Sequence, residues 1–161
     1  MKKIKLLLVD DESEFLDTLV DRLDLRELKT DVAYNGQEAL SAVDKEEPDV
    51  IVLDVKMPGM DGIEVLQRIK KAYPHVEVII LTGHGSEQDE QRARELGAFD
   101  YLRKPADLQT LLGRIRNAFK RRMTKLEQLS MAVTFAEAGE FDTAREMMQE
   151  QEEKGDKPET D

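Results

Sequence analysis

Asp10, Asp11, Asp54, Thr82 and Lys104 are the residues of this 161-residue sequence whose types could do chemistry together. Three carboxylates brought close repel one another, and such a group is tolerable when a hard cation neutralises it. Mg²⁺ suits that role, since it takes oxygen ligands at about 2.0–2.1 Å, keeps several waters and bridges to phosphate. Lys104 would add a cation able to ride on a phosphoryl oxygen, and Thr82 a hydroxyl donor. Such groups oppose the charge on a phosphoryl group in transfer while a carboxylate attacks in line. Aspartate is an established covalent phosphoryl carrier.

These residues must be brought together by the fold, and the hydropathy pattern says how. Ile4–Val9 is a nearly continuous apolar run, as in a strand covered on both faces. After Glu14, Phe15, Leu16, Leu19, Val20 and Leu23 recur at helical spacing. Strands are then expected at Thr30–Ala33, Val50–Leu53, Val76–Leu81 and Phe99–Leu102. Helices are expected at Gln37–Lys45, Gly62–Ala72 and Glu87–Leu96, the last closed by Gly97 as a left-handed cap. A final helix starts after Pro105, with Asp107 as its N-cap. Strands alternating with helices predict an α/β fold, a doubly wound five-stranded parallel sheet. Ligands of such sheets bind beyond the C-terminal ends of the strands, where Asp10, Asp11, Asp54, Thr82 and Lys104 all fall.

Four segments carry a family resemblance: Leu8-Val9-Asp10-Asp11-Glu12, the run from Asp54 to Gly62, Thr82-Gly83, and Tyr101-Leu102-Arg103-Lys104-Pro105. In order and spacing they resemble the response-regulator receivers of two-component signalling over roughly residues 3–122. The resemblance implies a flavodoxin-like receiver with Asp54 as phosphoacceptor, charged by a histidine kinase or a histidine phosphotransfer protein. It implies Asp11 as a direct Mg²⁺ ligand, Asp10 acting on the ion largely through water, and Lys56 lending its backbone carbonyl. Thr82 would be the switch hydroxyl, Gly83 the small residue leaving the pocket open, and Tyr101 the aromatic that changes rotamer with the switch. Lys104 would bind the phosphoryl group, with a cis bond to Pro105. On this reading the chain is no enzyme beyond Mg²⁺-dependent self-phosphorylation and self-dephosphorylation.

Plainer readings exist for each piece alone. Tyr101 could be a sheet aromatic, Thr82 a turn residue, and Gly59, Gly62 and Gly83 loop punctuation. His75 follows Pro74 in a turn, and His84 lies two past Thr82; neither suggests a phosphorelay histidine. No Gly-x-x-x-x-Gly-Lys phosphate loop is present, nor a glycine-rich dinucleotide turn after the first strand. A haloacid-dehalogenase-like phosphatase would want a second acid where Lys56 stands.

Beyond the resemblance, residues 123–154 read as a helical hairpin extension and 155–161 as a polar tail. Leu126, Leu129, Val133 and Ala136 form one apolar stripe; after Gly139, Phe141, Ala144, Met147 and Met148 form another. No Pro or Gly except Gly113 lies between Asp107 and Ala138, so the last receiver helix either runs on or breaks at Arg121–Lys125. The hairpin would either cap the receiver or serve a homodimer or a downstream protein. Formal charge is −11, and residues 124–161 hold 4 basic against 11 acidic side chains. Lys120, Arg121 and Arg122 are too few for a duplex-binding face, so nucleic acid is not expected as a partner. No cysteine is present, which excludes disulfides and thiolate metal sites. The apolar run Leu6–Val9 is too short for a signal core or a membrane span, so a cytoplasmic protein with no membrane partner is expected.

Overall fold

The computed structural model describes residues 3–24, 28–137 and 148–149. Its chain folds into two compact units, Met1–Phe119 and Lys120–Asp161. In the first, a five-stranded parallel sheet has the order β2-β1-β3-β4-β5. The strands are β1 (Ile4–Val9), β2 (Leu28–Ala33), β3 (Val50–Leu53), β4 (Glu77–Thr82) and β5 (Asp100–Arg103). The helices are α1 (Ser13–Asp24), α2 (Gly36–Lys45), α3 (Gly62–Ala72), α4 (Glu87–Glu95) and α5 (Leu108–Glu137).

Every residue of β3 and β4 is buried, because helices cover both faces of the central strands. The period of two along a strand divides the core in two. Leu7, Val9, Ile51, Leu53, Val78 and Ile80 meet Val43 of α2, Val65, Leu66 and Ile69 of α3, and Ala93 of α4. Leu6, Leu8, Val50, Val52, Ile79 and Leu81 meet Leu16, Leu19 and Leu23 of α1 and Leu111, Leu112 and Ile115 of α5. Each fully buried Leu or Ile contributes roughly 1.5–3 kcal/mol, so both layers are needed for stability.

Local chemistry fixes where the helices begin. The Asn35 side chain accepts from the Glu38 N–H at 2.9 Å, and Asp61 from the Ile63 N–H at 2.9 Å. Ser86 and Asp89 form a reciprocal capping box at the start of α4. Asp107 accepts from the Thr110 N–H at 3.2 Å, as its N-cap assignment requires. Gly97 has φ +95°, the left-handed cap expected after α4.

Several boundaries differ from the sequence reading. β2 begins at Leu28 rather than Thr30, since Leu28 and Lys29 pair with Ile4 and Lys5. β4 is Glu77–Thr82 rather than Val76–Leu81: the Val76 N–H donates to the Tyr73 carbonyl, while Thr82 pairs with Arg103. β5 is shifted likewise to Asp100–Arg103. α2 starts one residue earlier, at Gly36, and α4 ends at Glu95 with Leu96 as its cap. α5 has no break at Arg121–Lys125 and continues to Glu137 as one 30-residue helix. The second apolar stripe of the expected hairpin lies outside the described residues, apart from Met148. No helix among the described residues is long and apolar enough to cross a membrane.

Candidate functional site

The parallel ladders carry the candidate residues just past the strand ends and hold them there. The Asp10 N–H donates to the Ala33 carbonyl at 3.1 Å, Asp54 to Val9 at 2.9 Å, and Lys104 to Thr82 at 2.9 Å. Each residue beyond a strand is therefore still fixed by a neighbour's last carbonyl. The Lys104–Pro105 peptide bond is cis.

Asp10, Asp11 and Asp54 each offer a carboxylate oxygen, and these oxygens lie within 4.8 Å of one another. Asp10 and Asp54 are buried, whereas Asp11 is exposed. The cluster is thus a cup with an open rim. Lys104 Nζ stands 2.5 Å from Asp10 Oδ2 and 3.8 Å from Asp54 Oδ2. Its ammonium also lies 4.1 Å from the centroid of the Phe15 ring, so α1 supplies an aromatic floor for the charge.

Backbone donors orient two of the acids. Asp54 Oδ1 accepts from the Lys56 N–H at 3.2 Å, and Asp10 Oδ1 accepts from the Glu12 N–H at 3.0 Å. The donor set is hard oxygen, as Mg²⁺ requires. Three carboxylates with one ammonium leave a double negative charge, which one divalent cation neutralises.

Thr82 is fully buried at the end of β4, and its hydroxyl oxygen accepts from the His84 N–H at 3.3 Å. Gly83 lies beside Lys104: a Cβ there would be 3.8 Å from Lys104 Cβ and Cδ, an ordinary contact. Tyr101 is buried against Gly85 and Thr82. Burial pushes the Tyr101 hydroxyl above its usual range, with the Arg103 charge pulling the other way. Lys56 sends its ammonium toward Asp89, 3.6 Å away. The Asp89 carboxyl is held low chiefly by the Ser86 backbone N–H it accepts, against burial, with the Ser86 side chain and Lys56 assisting.

Some of these residues escape a reading of the sequence. Gly62 is no loop punctuation, because a Cβ there would lie 2.1 Å from the Asp54 carbonyl oxygen and 2.7 Å from Val55 Cα. Only glycine lets α3 begin against the backbone of the acid, and the Gly62 N–H donates to Val55 at 2.9 Å. Phe15, Gly85, Asp89 and Arg103 carry no motif of their own; loop paths decide what they touch.

Comparison with known proteins comes to the same region of the chain. Residues 6–116 match the family described as the response regulator receiver domain. An uncharacterized transcriptional regulatory protein of Bacillus subtilis (strain 168), YkoG, is 33% identical over 147 residues, 91% of this chain and 64% of that protein. The chain therefore spans less than two thirds of that relative. A receiver domain protein from Clostridium thermocellum is 38% identical, with TM-score 0.72 over 75% of this chain and 98% of that one. A CheY-like receiver domain protein from Methanospirillum hungatei JF-1 is 26% identical, with TM-score 0.74 over 77% and 99%.

Proposed function

The chain belongs to the response-regulator receiver family, and from that premise we propose that Asp54 is its phosphoacceptor. Receivers of this family are phosphorylated and dephosphorylated in a Mg²⁺-dependent way on their own chain and turn over no separate substrate. The observation that carries the assignment is the surroundings of the Asp54 carboxylate: buried, sharing the cluster with Asp10 and Asp11, and faced by Lys104 at 3.8 Å.

The phosphoryl donor is a phosphohistidine on a histidine kinase or phosphotransfer protein. Lys56 N–H holds Asp54 Oδ1, so Oδ2, which faces Lys104, is the oxygen assigned to the new bond. That oxygen forms the P–O bond as the P–N bond to the histidine breaks. The P–N electron pair stays on the imidazole nitrogen, and the product is an acyl phosphate. Asp11, Asp54 and the Lys56 carbonyl would hold Mg²⁺ directly and Asp10 largely through water, and the ion would supply positive charge against the phosphoryl oxygens. Lys104, just past the end of β5, supplies a second cation. Thr82 and Gly83 form the adjoining wall, with the Thr82 hydroxyl as the donor that moves to the phosphoryl group and Tyr101 following it inward.

Output through protein contacts is the reading that suits the extension, taken as a helical segment over 123–154 after a receiver of 1–122. Val133 of α5 is 50% exposed, and Leu126, Leu129 and Ala136 of the same helical stripe are only partly buried, the apolar face that a second copy or a downstream protein would cover. Transcriptional regulation is a property in the name of the Bacillus protein, over a third of whose length this chain does not match.

Acetyl phosphate with Mg²⁺ tests the acceptor. The intact mass should rise by about 80 Da, one phosphoryl unit. No rise should occur without Mg²⁺ or in Asp54→Ala, and an undiminished adduct in that variant removes the assignment.

A further inference from the structure

Tyr101 is held in its inward position by two features outside the acidic cluster. The first is space. A Cβ on Gly85 would fall 1.7 Å from the Tyr101 hydroxyl oxygen, 3.0 Å from its Cζ and 2.9 Å from Thr82 Cγ2. Among the described residues the glycines of positive φ are Gly59 and Gly97, so the backbone at Gly85 is one that other residues adopt. The ring, rather than the turn, is what excludes a side chain there.

The second feature is Arg103. It lies two residues beyond Tyr101 in β5, hence on the same face of the sheet. Its Nη1 donates to the Gly85 carbonyl at 2.8 Å, and its guanidinium carbon is 5.7 Å from the centroid of the Tyr101 ring. One side chain thus ties the wall of the seat to the ring that occupies it. Against this stands the Tyr101 hydroxyl, buried with no hydrogen-bond partner. A ring turned to solvent would hydrate that oxygen, so the inward position carries a cost that some contact must offset.

We infer that Arg103 is a positioning residue, a clasp that closes the Gly85 loop over Tyr101 and sets the ratio of inward to outward ring. Neither contact of Arg103 is to Asp54, so the clasp acts whether or not Asp54 carries a phosphoryl group. Phosphorylation then adds to an inward bias already written into the chain. The regulatory meaning rests on the switch role proposed above for Tyr101; the ring's position does not.

The test uses the full chain labelled with 3-fluorotyrosine, its Tyr101 fluorine resonance assigned by loss in Tyr101→Phe. Ring exposure is read from broadening by a soluble gadolinium chelate, with no phosphodonor present. Arg103→Met, at an exposed position, should lower the inward-to-outward ratio about fivefold, the factor of one hydrogen bond of ordinary net strength. Stronger broadening and a shift toward the solvent-exposed resonance are the expected signs. Gly85→Ala, with folding checked by thermal melting, should turn the ring outward more completely. A Tyr101 signal unchanged in Arg103→Met overturns the clasp, as does an inward ring in folded Gly85→Ala. If Gly85→Ala does not fold, Arg103→Met decides alone. Failure to form the Asp54 adduct would refute the proposed function without changing this ring measurement.

Discussion

Replacing Lys104 with Met should tighten Mg²⁺ binding. The Lys104 ammonium, on a side chain only 14% exposed, sits 2.5 Å from Asp10 and 3.8 Å from Asp54. It therefore already supplies part of the charge that a divalent ion would supply, and the two compete. Coulomb's law at the shorter distance gives about 1.7 kcal/mol in a water-like dielectric and about 6.6 kcal/mol at an effective value of 20. Asp10 is buried and the Asp11 rim is open to water, so the two figures bracket the pair and the lower one is its floor. About 1.7 kcal/mol corresponds to roughly twentyfold in Kd. Met preserves most of the stem and its packing beside Phe15, which confines the change to charge. Calorimetric titration of MgCl₂ into both proteins at one fixed ionic strength measures the difference, since salt screens the exposed rim. Equal or weaker affinity in Lys104→Met would refute the competition. The same variant should form the Asp54 adduct more slowly, because the phosphoryl oxygens lose a counter-charge. Tighter ion and slower reaction together distinguish this account from a simple loss of structure.

Gly62→Ala should destabilise the fold by about 1–3 kcal/mol and slow the Asp54 adduct, because the added carbon meets backbone that cannot rotate away. Gly83→Ala meets only the Lys104 stem at 3.8 Å and should be close to neutral; urea melts that rank the two equally would contradict the contact geometry. Asp89 has a folded-state pKa below the ordinary 3.8, so its stabilisation is present above 3.8 and lost as pH falls through the lower folded value. The stability gap between wild type and Asp89→Ala should accordingly be full at neutral pH and shrink on acidification; a gap that widens would reverse the sign. Val133→Glu should lower the molar mass seen by light scattering if α5 carries a self-association face. A wild type that is monomeric both with and without acetyl phosphate removes that reading.

The central sheet was legible because β1, β3 and β4 are nearly unbroken apolar runs of strand length. Asp10, Asp54, Thr82 and Lys104 stood out by side-chain type and by lying at or just past the ends of expected strands. β2 was harder: its polar Lys29, Thr30 and Asp31 belong to an edge strand, where one side of the ladder is unpaired. The course of α5 stayed open because its basic stretch contains good helix formers and no breaker, and propensity is too weak to distinguish continuation from a break. Phe15 beneath Lys104, Lys56 reaching Asp89, and Arg103 bonded to Gly85 were not legible. Each joins segments whose approach is set by loop paths and side-chain directions. Gly62 showed the same limit: a glycine demanded by close approach looks, in sequence, like a glycine demanded by a turn.

The separation of Lys104 from Asp10, 94 residues along the chain, has a consequence for how the protein comes into being. Parallel neighbours cannot be joined by hairpins, so Asp10 and Asp11 after β1, Asp54 after β3 and Lys104 after β5 arrive on strands linked by crossovers. Contacts of such long range are slow to form, whereas the pairing of β1 with β3 alone gathers the three acids without Lys104. A nascent chain that has emerged only through β4 has the carboxylates without their counter-charge. Mg²⁺ held by the three acids would stabilise a chain in which β1 and β3 have paired, by mass action, before Lys104 brings its competing charge. On the proposed function, closure of the sheet at β5 thus adds the phosphoryl-binding cation to an acid site that β1 and β3 build between them.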